Sequence, residues 1–266
     1  MRRPVVGLLS DFGLKDPYVA EMKAVILNIC KDAQIIDISH EIEKFDIRMG
    51  AFVLAWAVPY FPKDTVYVSV VDPGVGTKRR PIVVETRRSL LVGPDNGLLM
   101  LAAERDGVQH VYEIGNTAFM LSKVSKTFHG RDVFAPVAAY LAARRVPSEV
   151  GSEIKDYFIP KYANPVLKND TLIGEVLHVD DFGNVITNIS EKNLNKIGTK
   201  QDVSLDVKLG KKVLNLRYCS AYGEVDVNEM LAVIGGHGFL EIAVNQGDAA
   251  EKLKARAGMK MRVVKA

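Results

Sequence analysis

The sequence predicts an α/β protein in two parts. An N-terminal mostly parallel sheet flanked by helices occupies residues 1–160, and a smaller C-terminal antiparallel β-barrel domain occupies residues 168–266. Three observations predict this. Short β-branched runs alternate with helix-period segments through the first half, the pattern of strand–helix–strand units. Beyond residue 168, strand-length runs crowd together and helical periodicity fades, as in a small barrel or sandwich. Between the two, Gly151 to Lys168 carries Pro160 and Pro165 and reads as a linker.

The elements follow in order. Val5 to Leu9 is an apolar run of strand length. Val19, Met22, Ile26 and Ile29 recur at helical spacing, so a helix follows, with Asp16-Pro17 as its cap and first residue. Gln34 to Ile38 is the second strand. Ile47, Ala51, Leu54 and Val58 mark a second helix that Pro59 and Pro62 stop. Thr65 to Val71, Pro81 to Thr86 and Leu90 to Val92 are strands, and Pro94-Asp95-Asn96-Gly97 is a turn. Leu98 to Ala103 reads as helix, Val111 to Ile114 as strand and Phe134 to Ala143 as helix. The second half offers strands at Leu172 to Val179, Val185 to Asn188, Val203 to Leu209, Val213 to Leu216, Met230 to Ile234, Phe239 to Val244 and Met261 to Val264. Its one helical segment is Ala249 to Ala255.

Composition narrows the function. In 266 residues, 35 Lys+Arg against 32 Asp+Glu leave a net charge of +3, too weak a field to point to nucleic acid or an anionic membrane. The longest apolar stretch, Ala51 to Phe61, contains Pro59 and falls well short of the roughly 20 residues of a spanning helix. The run after Met1-Arg2-Arg3-Pro4 ends at Ser10-Asp11, too short for a signal peptide. Cys30 and Cys219 form no zinc or redox spacing, so a reduced, cytoplasmic setting is expected.

Ligands of an open parallel sheet bind at the carboxyl ends of its strands. Three such ends carry acids or histidine: Ser10-Asp11-Phe12-Gly13 with Asp16, Asp37-Ile38-Ser39-His40, and Asp72-Pro73-Gly74-Val75-Gly76 with Arg79-Arg80. Phe128-His129-Gly130-Arg131-Asp132 precedes the Phe134 helix. Each also has a purely structural reading. Asp11 before Gly13 suits an Asx turn, Asp72-Pro73-Gly74 a type II turn, Asp132 an N-cap, Asp37 a solvent-facing strand position, and His40 a cap or packed ring. In the second domain, Asp180-Asp181-Phe182-Gly183-Asn184 has hairpin chemistry. Gly235-Gly236-His237-Gly238 is turn-like and lacks the dinucleotide-binding spacing.

Taken together in order, these motifs, with Thr127 before Phe128 and the continuation Val185-Ile186-Thr187-Asn188, resemble the S-adenosyl-L-methionine (SAM) hydroxide adenosyltransferases, or SAM hydrolases, relatives of the fluorinase and chlorinase. The likeness runs over nearly the whole chain. It implies an N-terminal α/β domain and a C-terminal barrel, and a homotrimer with each site between the N-terminal domain of one subunit and the C-terminal domain of its neighbour. The implied reaction is SAM plus water to adenosine plus L-methionine, with no metal or cofactor. The family's Asp, Arg and His on the water nucleophile fall on Asp72, Arg79 and His129.

The resemblance assigns further positions to substrate binding. Asp11 matches the acid that holds the ribose hydroxyls. Phe182 and Asn184 match adenine contacts, with Asn164 as another. Asp180 matches the acid at the methionine ammonium, with Asp181 as its alternative because the spacing before Phe182 is one residue shorter than in the fluorinase. Backbone around Gly236 and His237, and around Val244 to Gln246, would line the adenine pocket. Asp16, Phe45 and Gly130 align with pocket-lining positions. The halogenases lack the Asp/Arg/His set and insert a long loop absent here, so water is the expected nucleophile. Two other readings are a non-catalytic SAM or adenosine sensor, and a metal-dependent nucleotide hydrolase built on Asp11, Asp37, His40, Asp72 and His129.

Overall fold

A computed structural model describes residues 3–266. It divides into two compact units, one ending at Pro160 and the other beginning at Lys161. The first runs β1 (Val5–Ser10), α1 (Tyr18–Ile29), β2 (Gln34–Ser39), α2 (Ile47–Ala57), β3 (Thr65–Val70), β4 (Pro81–Thr86), β5 (Ser89–Pro94), α3 (Met100–Asp106), β6 (Val108–Glu113) and α4 (Ala135–Ala142). A π-helical turn, Gly130–Phe134, leads into α4.

The sheet order is β2-β1-β3-β5-β4-β6. Pairings from β2 through β5 are parallel, and β4 lies antiparallel to both its neighbours. All six residues of β1 and of β3 are buried, as expected of central strands covered on both faces. Val6, Leu8, Val66 and Val68 pack with Met22 and Ile26 of α1 and Val137, Ala138 and Leu141 of α4. The chain leaves β1 for β2 on one side and finds β3 on the other, so β1 and β3 flank a topological switch point. Ser10 and Val70 are paired at its edge. Asp11 and Asp72 therefore leave the sheet at nearly the same level, the crevice where such sheets bind ligands.

The second unit runs β7 (Val166–Lys168), β8 (Thr171–Val179), β9 (Val185–Ser190), α5 (Glu191–Lys196), β10 (Ser204–Leu209), β11 (Lys212–Cys219), β12 (Met230–Ile234), β13 (Phe239–Val244), α6 (Ala249–Leu253) and β14 (Lys260–Lys265). Strands β14-β10-β11-β12-β13-β9-β8 close into a seven-stranded barrel through the β14–β8 pairing, and β7 adds outside β8. Alternate residues of β10 and β14 point inward, giving the core Leu205, Val207, Leu209, Met261 and Val263. One pairing departs from the antiparallel expectation: β11 and β12 run parallel, because the segment from Ser220 to Glu229 carries the chain back across the barrel before β12 begins.

Several local readings change. Pro17 itself is the N-cap of α1, with no side-chain cap, so Asp16 lies before the helix rather than capping it. The Asp72 turn is closed by Val75 N–H donating to the Asp72 carbonyl at 3.3 Å. Gly74 stays out of the left-handed region and Gly76 takes it instead, at φ +75, so the turn is not type II. The start of the linker belongs to the first unit, where Glu153 bridges to Tyr112. Its end is strand β7. Helix α5 carries no periodic signal because it has six residues and one buried side chain, Leu194.

Candidate active site

The switch point holds a cleft of about 400 Å³ whose walls include Asp11, Asp16, Phe45, Asp72, His129 and Gly130. These six residues come from four separate loops. Phe12, Tyr18 and Phe128, none of them singled out from the sequence, line it as well. Their rings meet edge to face, with centroids 5.2–5.8 Å apart. The one available signal was adjacency: Phe12 follows Asp11 and Phe128 precedes His129.

Arg79 stands behind the Asp72 carboxylate. Its Nε donates to Asp72 Oδ1 at 3.1 Å and its Nη2 to Oδ2, a bidentate pair. Side-chain exposure is 5% for Asp72 and 7% for Arg79, so water screens the pair weakly. Nη2 also lies 3.2 Å from Nδ1 of His129. Arginine only donates, so Nδ1 is the acceptor, and the hydrogen of the neutral ring sits on Nε2. Burial and the neighbouring Arg79 charge push the His129 pKa below its usual 6.5, outweighing Asp72 and Asp132, which raise it. Arg79 Nη1 is buried and lacks a hydrogen-bond partner among the described residues. A buried donor of this kind calls for an acceptor. Arg80 faces elsewhere, paired with Asp95 and Asp156.

Asp11 is held by the loop that follows β2. Its Oδ2 accepts from Phe45 N–H at 2.9 Å, where Phe45 adopts φ +67. Ser10 Oγ, fully buried, is 2.7 Å from His40 Nδ1 and accepts from Phe12 N–H at 3.3 Å. Gly13 N–H donates to the His40 carbonyl at 2.8 Å. His40 thus packs beneath the Asp11 loop and does not line the cleft. Asp37 pairs with Lys23 at 2.6 Å. Burial raises the Asp37 pKa, but its Lys23 and His40 hydrogen bonds prevail and lower it. Among the described residues no three His, Cys, Asp or Glu side chains are grouped to hold a metal ion.

In the barrel unit, Asp180 accepts from Phe182 N–H, Asn184 N–H and Asn184 Nδ2 at 2.9–3.0 Å. The carboxylate therefore shapes its own loop, while Asp181 and Phe182 stand exposed. Gly183, at φ +78, packs on Asp248, where a Cβ would come within 2.2 Å of the carboxylate. The Asp180–Asn184 loop precedes β9, and Val185 pairs with Ile242. That register sets the loop at the end of β13 where Val244 and Gln246 lie. Gly236 and His237 sit at the other end of β13, about 20 Å of strand away. His237 is buried, with Nε2 2.6 Å from Glu241 Oε1 and Nδ1 accepting from Phe239 N–H. Asn164 is exposed before β7.

A family model described as SAM hydroxide adenosyltransferase N-terminal domain matches residues 6–151, and its C-terminal counterpart matches 174–262. The chain is 38% identical to an (R)-S-adenosyl-L-methionine hydrolase of Methanocaldococcus jannaschii, covering 94% of this chain and 91% of that one. A fluorinase of an Actinoplanes species is 27% identical over 99% of this chain and 98% of its own. A crystal structure of an uncharacterized conserved protein from Thermotoga maritima superposes with TM-score 0.88 at 43% identity, covering 97% of this chain and 99% of that one.

Proposed function

The chain belongs to the SAM hydroxide adenosyltransferase family, and we propose that it hydrolyses SAM to adenosine and L-methionine. One observation carries the proposal: Arg79, from behind the cleft wall, hydrogen-bonds both Asp72 and His129, which line the cleft with Asp11. Relatives named as hydrolases share 37–38% of residues with this chain, against 26–27% for those named as fluorinases. A carboxylate beside the nucleophile's position also repels a halide.

In this mechanism Asp11 grips the two ribose hydroxyls with charge-assisted hydrogen bonds. Water lies behind C5′, with Arg79 Nη1 and the Nε2–H of His129 as its donors. Its oxygen bonds to C5′ while the C5′–S bond breaks, and the bonding pair leaves with sulfur as the neutral thioether of methionine. The Nδ1 lone pair of His129 is already committed to Arg79, so the water's proton passes to Asp72. No acid is needed on the leaving side, because the sulfonium departs uncharged. Alignment of the two reactants can itself contribute several kcal/mol.

Substrate contacts extend to the barrel unit. Phe182, Asn184, Val244 and Gln246 share one rim and take the adenine, with Asn164 as a further contact. Gly236 and His237 lie a strand length away, so they do not share the adenine contact with that rim. Asp181, exposed beside the self-engaged Asp180, is the freer acid for the ammonium. Because the cleft and the rim lie on separate units, the site is completed in a homotrimer, between the first unit of one subunit and the barrel of its neighbour. No helix among the described residues is long and apolar enough to cross a membrane. Both thiols are free and buried, which fits the cytoplasm.

Incubation with SAM, followed by chromatography, tests the reading. Adenosine and methionine should appear in equal amounts, and EDTA should change neither. Binding without methionine release would favour a sensor, and loss of activity with EDTA a metal hydrolase.

A further inference from the structure

We infer that Asp132 is a positioning residue for His129: it pins the loop from Leu121 to Phe128 against the π turn, and so sets the imidazole at hydrogen-bond distance from Arg79. The inference rests on the proposed role of His129.

Asp132 is completely buried and is not part of the cleft wall, so contact with substrate does not explain it. A buried carboxylate persists only when its oxygens are well supplied with donors. Here Oδ2 accepts from Ser125 N–H at 2.7 Å, and Oδ1 accepts from Arg131 Nε at 2.6 Å. Arg131 in turn reaches Glu21 of α1 at 2.8 Å. The backbone of Asp132 holds both ends of the same loop: its N–H donates to the Phe128 carbonyl, and its carbonyl accepts from Leu121 N–H. Side chain and main chain together therefore fasten the beginning, middle and end of one segment.

The opposite side of that segment is equally confined. The Lys126 carbonyl lies where a Cβ on Gly76 would come within 2.3 Å of it, and Gly76 belongs to the turn between Asp72 and Arg79. The loop is thus held between the turn that carries Arg79 and the buried carboxylate. His129 is the N-cap of the π turn, a wider and rarer geometry than α-helix that concentrates at functional sites. A small displacement of this loop lengthens the 3.2 Å separation between Arg79 and His129, whereas the Asp11–Phe45 bond is made by other loops.

The test is a double-mutant cycle with His129→Gln, read as kcat and as the Kd for SAM. Asp132→Ala should lower kcat about tenfold, the value of one hydrogen bond lost from the transition state. Asp132→Asn keeps an acceptor for Ser125 and should lower kcat less. The Kd for SAM should move by less than the kcat. In the His129→Gln background both losses should shrink towards nothing, because there is no longer an imidazole to place. If Asp132→Ala fails to fold by circular dichroism, Asp132→Asn carries the cycle. Losses that multiply independently of His129, or an unchanged kcat in a folded variant, overturn the inference. Full turnover by His129→Gln alone would instead overturn the role of His129.

Discussion

Nη2 of Arg79 donates to Nδ1 of His129 across 3.2 Å, and this contact divides the labour among three residues distant in sequence. It fixes the imidazole tautomer and links His129 to the bidentate Arg79–Asp72 pair; in the proposed mechanism Asp72 is the group that takes the proton.

Replacement of the two candidate acceptors should separate their roles. Asp72→Asn should lower kcat by about 10²–10⁴, the range for a lost general base. His129→Gln retains a donor and should cost about tenfold. Single-turnover rates under saturating SAM measure both. The reverse order would place the proton on His129.

The pH profile follows from the His129 shift. Its pKa lies below 6.5 because burial and Arg79 oppose the charged ring. The imidazole therefore takes up its proton at lower pH than an ordinary histidine. Activity should be lost only at lower pH, as the ring protonates and Nδ1 can no longer accept from Arg79. In Arg79→Gln one of the lowering causes is gone, so NMR titration of His129 should show a higher pKa than in the parent.

The fold and much of the cleft were legible in the sequence, for different physical reasons. β1 announces itself as an apolar run and β3 as an alternating, β-branched one, and both are buried because helices cover both faces. Asp11 and Asp72 follow them directly, so the strand assignment alone placed both on one edge. The aromatic wall was not legible: Phe12, Tyr18 and Phe128 meet only through tertiary packing. Nor was the bond between Ser10 and His40, 30 residues apart. Gly74 and Gly76 are both glycine, and only the folded backbone shows that Gly76 takes the left-handed conformation, with the Lys126 carbonyl packed where a Cβ would lie.

Asp11→Ala should raise the KM for SAM about ten- to a hundredfold, the worth of hydrogen bonds to a charged acceptor. Because Asp11 Oδ2 also holds Phe45 N–H, Asp11→Asn should recover part of that loss. Steady-state kinetics over a wide range of SAM concentration provide the check.

Gly76→Ala should destabilise the protein by about 1–3 kcal/mol through its left-handed backbone and the Lys126 carbonyl. Urea unfolding monitored by circular dichroism measures it, and an unchanged midpoint would show that the loop yields.

Sedimentation equilibrium should report three times the chain mass of 29.3 kDa, as expected if each cleft is closed by a neighbouring barrel. A monomer retaining full turnover would refute that arrangement.

Hydrolysis of SAM in ¹⁸O-labelled water, with mass spectrometry of the products, addresses the chemistry most directly. Attack by the water held at Asp72, Arg79 and His129 places one ¹⁸O in the 5′-hydroxyl of adenosine and none in methionine. Unlabelled adenosine, or label in the amino acid, would contradict attack at the ribose carbon and with it the role assigned to all three side chains.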